Sequence, residues 1–351
     1  MSYSGVIEKY LEHLPLPRDV EPVTLLEGNT PLVEADNLRK VLKAPCKIFL
    51  KFEGANPTGS FKDRGMTVAV TKAVLDKAEA VVCASTGNTS ASAAAYAAKA
   101  GLKAFVVLPK GKIAIGKMAQ ALIYGAKVIE IDGNFDDALQ IVREIGEKTK
   151  VVIVNSINPY RLEGQKTASF EIIETIEKAP THHCLPVGNA GNITAYWKGY
   201  VEWKAARGTS LPRMLGFQAE GAAPIVRDKV VDHPETLATA IRIGNPASWK
   251  QAVQARDDSG GLIDIVTDGE ILSAQRLIAA TEGIFCEPAS ASSVAGLKKL
   301  VARNYFGRKD TVVCTLTGNG LKDPDTASRG IEPPLTAPPV FSEVLKLMNL
   351  K

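Results

Sequence analysis

The chain has 351 residues, with 42 Lys and Arg against 38 Asp and Glu, for a formal net charge of +4. Its length suits roughly two domains. With 45% apolar and 23% charged residues it reads as an ordinary folded protein, which excludes a disordered chain, a collagen-like repeat and a small disulfide scaffold. The slight positive balance is spread along the chain, so nucleic acid is not an expected partner and small anions are.

In chain order, short β-branched runs alternate with longer helical segments. Strands are expected at 47–50, 80–84, 104–108, 127–131, 151–154, 214–219, 262–266 and 311–316, and helices at 90–100, 114–124, 136–148, 163–178 and 268–282. Continuous apolar strands separated by helices predict open, mostly parallel sheets covered on both faces, an α/β fold. Such sheets bind ligands beyond the carboxyl ends of their strands. The loops that follow the strands are therefore where chemistry is expected.

Cys46, Cys83, Cys184, Cys286 and Cys314 are odd in number and have no CxxC spacing. They read as reduced core residues of a cytoplasmic protein. No apolar stretch approaches the about 18 residues of a membrane span. Glu8, Glu12 and His13 lie where a signal peptide would need an unbroken apolar segment. His182 and His183 are adjacent and would face opposite sides of a strand, and His13 and His233 have no ligand-spaced partner, so no metal site is expected. About thirty residues follow Asp323, too few for an added regulatory domain of usual size.

The segment Asn56-Pro57-Thr58-Gly59-Ser60-Phe61-Lys62-Asp63-Arg64-Gly65 carries turn signals, and Ser60 with Asp63 resembles a capping box. Lys62 would then stand in a first helical turn, where the helix dipole disfavours its charge. It is either a solvated surface lysine or a lysine whose pKa is lowered for Schiff-base chemistry. Ser85-Thr86-Gly87-Asn88-Thr89 gathers hydroxyls, an amide and free N–H groups between a strand and a helix, a suitable seat for a carboxylate or phosphate. Gly111 to Lys117 resembles a Walker A loop, but Met118 replaces the hydroxyl that would ligate magnesium, which argues against a nucleotide triphosphatase. Gly188-Asn189-Ala190-Gly191-Asn192 is either a tight turn or a phosphate nest.

The order of the Lys62 segment, the 85–88 loop, the 188–192 loop and Thr317-Gly318-Asn319-Gly320 resembles the fold-type II pyridoxal phosphate enzymes. Within that group the chain is similar to the threonine synthase family, from Glu27-Gly28-Asn29-Thr30-Pro31-Leu32 to about Asp323. The resemblance implies two domains, each an open sheet flanked by helices, with pyridoxal 5′-phosphate in the cleft between them. Residues 46–160 would form the smaller domain, carrying the cofactor lysine and the substrate-carboxylate loop. Residues 1–45 and 161–351 would form the larger one, carrying the cofactor-phosphate loop.

Residue by residue, the resemblance makes Lys62 the catalytic lysine that holds the cofactor and the base for the Cα proton. Asn88 matches the partner of the cofactor's phenolic oxygen. Gly188, Asn189, Ala190, Gly191 and Asn192 match the loop that holds its phosphate, and Thr317 matches the partner of its pyridine nitrogen. Glu287 falls in a segment similar to another cofactor-facing loop and receives no role. Ser85, Thr86 and Thr89 are placed to bind the substrate carboxylate.

A second phosphate site is offered by Lys117, Ser156 and Arg161, since arginine gives forked donors and lysine a point charge. That site favours conversion of O-phospho-L-homoserine and water to L-threonine and phosphate by a lyase. A threonine or serine dehydratase of the same fold is the alternative, and a non-catalytic binding protein of that fold lies further off. A homodimer is implied by the resemblance alone.

Overall fold

Ten strands form two sheets in this computed structural model, which describes residues 3–85, 87–111, 115–329 and 334–348. The strands are β1 (Leu32–Glu34), β2 (Lys47–Phe52), β3 (Ala80–Cys83), β4 (Lys103–Pro109), β5 (Lys127–Ile131), β6 (Val151–Ile153), β7 (His182–Pro186), β8 (Arg213–Ala219), β9 (Leu262–Val266) and β10 (Thr311–Leu316). All eight predicted strands form, each within two residues of its expected ends. β1 and β7 are added to them. The three-residue β1 is the antiparallel edge of an otherwise parallel sheet, and so short a strand carries too little periodicity to be read from sequence.

One sheet has the order β1-β2-β10-β7-β8-β9 and the other β5-β4-β3-β6. Successive residues of their inner strands enter different cores. Val312, Cys314 and Leu316 join one cluster and Val313 another. Val81 and Cys83 likewise join one, and Val82 and Ala84 another. Both faces are thus covered, which is why these strands read as unbroken apolar runs. The five cysteines are free and buried. Among the described residues no helix is long and apolar enough to cross a membrane, and no three His, Cys, Asp or Glu side chains group as a metal-ligand set.

The strand orders locate the site. In the smaller sheet the chain runs outward from β3 through β4 to β5, then returns to place β6 on the other side of β3. In the larger sheet it runs from β7 through β8 to β9, then returns to place β10 on the other side of β7. Each reversal leaves a crevice at the carboxyl ends of the two strands it separates. The loops there are 84–88 and 154–158 in one sheet, and 187–191 and 317–320 in the other.

Candidate active site

Lys62 opens the helix Lys62–Leu75, and the chain before it is tied to the end of β10. Phe61 N donates to Thr317 O at 3.0 Å, and Asn319 N donates to Gly59 O at 2.8 Å. Gly59 has φ +84°, a conformation that favours glycine at this turn. The capping box expected from Ser60 and Asp63 does not form, because Thr58 and Ser92 compete for the same carboxylate. Asp63 accepts from Thr58 N at 2.7 Å, Thr58 Oγ1 at 2.6 Å and Ser92 Oγ at 2.6 Å, which fixes the loop onto the helix Asn88–Ala100. Burial still lifts Asp63 to about 6.

Lys62 Nζ lies 4.1 Å from the centre of the Phe61 ring. Burial, reinforced by the charge of Arg161, pushes the amine down to about 7 against an opposing pull from Glu287. An amine so placed is about half neutral at pH 7, and only the neutral form is a nucleophile or a base.

Arg64 and Arg161 are both buried, and their surroundings differ completely. Arg64 forks onto Glu53 at 2.7 and 2.8 Å and onto Glu171 at 2.8 and 2.6 Å, while Lys51 adds a bond to Glu171 at 2.7 Å. This satisfied cluster joins β2 to the helices Lys62–Leu75 and Pro159–Ile176. Arg161 stands in the first turn of Pro159–Ile176, a helix started by Asn158, whose side chain accepts from Tyr160 N at 3.0 Å, with Pro159 at the first position.

Arg161 is 2% exposed, its Nη1 donates to Val154 O at 3.1 Å, and its Nε has no partner among the described residues. No carboxylate there pairs with it, and burial lowers it only to about 10, so it keeps its charge at neutral pH. The helix dipole at this N-terminus also opposes the charge, and burying a cation without a paired carboxylate is costly.

The loop after β3 begins the helix Asn88–Ala100. Asn155, in the turn after β6, clamps the two crevice loops together, accepting from Ala84 N at 3.0 Å and donating to Ala84 O at 3.1 Å. Ser85 accepts from Gly87 N at 3.3 Å, and Thr89 is partly exposed in the first helical turn. Thr86 lies outside the described residues, as does the Lys117 side chain on the helix Ile115–Ile123. Ser156 lies partly exposed in the turn after β6.

After β7, Ala190 takes φ +65° and the helix Gly191–Arg207 begins. A Cβ on Gly188 would sit 2.9 Å from Ile241 Cα, so glycine is required there for packing. The amides of residues 188–192 donate to no protein acceptor among the described residues. The Asn192 side chain turns inward, donating to Pro186 O at 2.6 Å, and Asn189 O accepts from Ser248 N at 3.1 Å. The loop is therefore held from behind, and its N–H groups stay available at the positive end of a helix. Thr317, 4% exposed, has its hydroxyl 2.9 Å from Ser290 Oγ.

Two further groups stand at the site, Glu287 in the segment whose resemblance points to the cofactor and Lys322 with no signal in the sequence. Glu287 accepts from Asn88 Nδ2 at 3.2 and 3.0 Å. Lys322 donates to Thr58 O at 3.1 Å and to Gln120 on the helix Ile115–Ile123. The partners of both are set only by the tertiary fold, which the sequence does not show.

The model of pyridoxal-phosphate dependent enzymes matches residues 23–318. The chain belongs to that family, and its fold is fold-type II. Threonine synthase of Halalkalibacterium halodurans is 58% identical over 330 residues, 94% of this chain and 93% of the relative. Threonine synthase of Synechocystis sp. is 59% identical over 326 residues, 93% and 85% respectively. The processed form of threonine deaminase isoform 2 from Solanum lycopersicum superposes with a TM-score of 0.75 at 18% identity, covering 94% of this chain and 97% of its own, a likeness of fold.

Within the wider family the chain is a member of the threonine synthases. The cofactor of the family is pyridoxal phosphate, and the residues present fit it. A partly buried amine that is about half neutral at pH 7 suits an aldehyde, and five amides at a helix start with no acceptor among the described residues suit a phosphate.

Proposed function

We propose that the protein converts O-phospho-L-homoserine and water to L-threonine and inorganic phosphate. The observation that carries this reading is Arg161, a buried, charged guanidinium with no carboxylate, whose charge is felt at Lys62. A reaction on an amino acid without a second anion leaves such a group uncompensated, and a substrate phosphate satisfies it. Lys117 and Ser156 would join Arg161 around that phosphate, and Ser85, Thr86 and Thr89 would hold the carboxylate.

Lys62 would hold pyridoxal phosphate, the amides of Gly188, Asn189, Ala190, Gly191 and Asn192 would hold its phosphate, Asn88 its phenolic oxygen and Thr317 its pyridine nitrogen. When bound, the cofactor supplies an electron sink that makes the substrate Cα acidic and its γ-phosphate a leaving group. Lys62, with its amine lowered to about 7, is suited to take the Cα proton, to remove one from Cβ so that the γ-phosphate can leave, and to return protons at Cγ and, after water adds at Cβ, at Cα. Arg161 neutralises charge as the phosphate departs and keeps that phosphate close to the water that adds at Cβ. A threonine hydroxyl at position 317 delivers less than full protonation of the ring, which moderates the electron sink.

Water has to be kept out until the Cβ step, so closure over the substrate is part of the proposal. The moving unit would be centred on the four-stranded sheet, within the smaller domain expected at 46–160. Since β2 pairs with β10, its residues are carried with the larger sheet. The protein is further proposed to act in the cytoplasm as a homodimer, on the strength of family resemblance, and light scattering tests the dimer.

Incubation of the cofactor-loaded protein with O-phospho-L-homoserine tests the reaction. Threonine and phosphate in equal amounts are expected. Absence of phosphate release, with L-threonine or L-serine turned over to a 2-oxo acid, would give the site to a dehydratase instead.

A further inference from the structure

Glu287 stands at the N-terminus of the helix Pro288–Ala302 with φ −65° and ψ 155°, the geometry of a capping residue, yet its side chain makes no capping bond. The side chain instead crosses the site to Asn88. Both carboxylate oxygens accept from Asn88 Nδ2, at 3.2 and 3.0 Å, and Glu287 is 5% exposed. Its own backbone N–H donates to Gly318 O at 3.0 Å. A Cβ on Gly318 would lie 2.5 Å from Glu287 Oε1, so a glycine after Thr317 is what gives the carboxylate its room. Burial pushes the Glu287 carboxyl above its ordinary value, while the hydrogen bond from Asn88 and the charges of Lys322 and Lys62 act the other way and favour the ionised form.

A primary amide has two N–H donors on one side and a carbonyl acceptor on the other, and a half-turn about its last bond exchanges them. An ionised carboxylate accepts and does not donate, so it admits only the nitrogen side. One N–H of Asn88 is then committed to Glu287, and the second is left to point elsewhere. We propose that Glu287 is a positioning residue that locks the Asn88 amide with a free N–H turned to the cofactor's phenolic oxygen. The inference rests on the reading of Asn88 given above. With the amide free to turn, its carbonyl would meet the phenolic oxygen lone pair to lone pair.

The test uses the full chain reconstituted with pyridoxal 5′-phosphate and follows two properties, the cofactor dissociation constant and the absorption maximum of the bound cofactor. Glu287→Gln keeps the size but offers both a donor and an acceptor, so the selection is lost. It is expected to weaken cofactor binding about tenfold, the scale of a hydrogen bond to a charged group, and to move the absorption maximum. Glu287→Asp keeps an acceptor-only group and is expected to lie nearer the wild type than Glu287→Gln in both readouts. In an Asn88→Ala background, Glu287→Gln is expected to change neither readout by more than about twofold, as coupled residues require.

Equal effects of Glu287→Gln with and without Asn88 would overturn the proposal. So would a silent Glu287→Gln beside an effective Asn88→Ala, which leaves the Asn88 reading intact. A silent Asn88→Ala would overturn that reading and the proposal together.

Discussion

Gly164 meets the backbone of Arg64 so closely that a Cβ on Gly164 would lie 1.9 Å from the Arg64 carbonyl oxygen. The contact is reciprocal, since a Cβ on Gly65 would lie 2.6 Å from the Arg161 carbonyl oxygen. The helices Lys62–Leu75 and Pro159–Ile176 therefore touch backbone to backbone near their N-termini. That contact sets how far Lys62 stands from Arg161, and neither helix can yield without moving one of them.

Gly164→Ala follows from this relationship. The clash is with a carbonyl and not with a flexible side-chain end, so the helices have to separate. Overpacking of this kind costs about 1–3 kcal/mol, and thermal unfolding should show Tm lowered by several degrees. An unchanged Tm would mean that the two helices are not held in contact.

Arg161→Met separates function from stability. An unpaired buried charge destabilises a fold, so its replacement by a side chain of similar length is expected to leave Tm unchanged or raise it. The same change should lower kcat/KM for O-phospho-L-homoserine by about a hundredfold or more, since it leaves a substrate phosphate without its partner. A drop in Tm together with full activity would show Arg161 to be a structural group.

Lys62 gives a pH dependence with a definite sign. In the cofactor-free fold it takes up a proton only below about 7, against 10.5 for an ordinary lysine. Between those values the unfolded chain binds more protons than the native one, so this group's contribution makes stability rise with pH from about 7 to 10.5, and it is most unfavourable below 7. Peptide mapping of acylation on the cofactor-free protein should give a half-maximal Lys62 rate near pH 7. A midpoint near 10 would contradict an enclosed amine.

Much of this architecture is readable in the sequence because its strands are buried on both faces. β3 is four consecutive buried apolar residues, and no helix pattern competes with it. Lys62 and the 188–192 loop are visible because a lysine in a first helical turn and a glycine-rich strand-to-helix turn are local facts. What pairs across the fold is not local. Asp63 satisfies the local rule for a capping box, yet it is taken by Thr58 and Ser92. Glu287 lies in a segment whose resemblance points to the cofactor without giving it a role, and its link to Asn88, 199 positions away, exists only once both sheets are assembled.

Closure has its own signature. With a phosphonate analogue of the substrate bound to the holoenzyme, amide exchange across residues 85–160 should slow, most of all in the helix Ile115–Ile123 that Lys322 tethers through Gln120. Identical exchange with and without the analogue would count against a moving unit.

The central claim is that phosphate leaves by cleavage of its bond to carbon and that water then enters at Cβ. Turnover of O-phospho-L-homoserine in ¹⁸O-labelled water, with both products weighed by mass spectrometry, tests this most directly. The account predicts one labelled oxygen in threonine and none in the released phosphate. Label in the phosphate, with unlabelled homoserine as the other product, would mean hydrolysis at phosphorus and would contradict it.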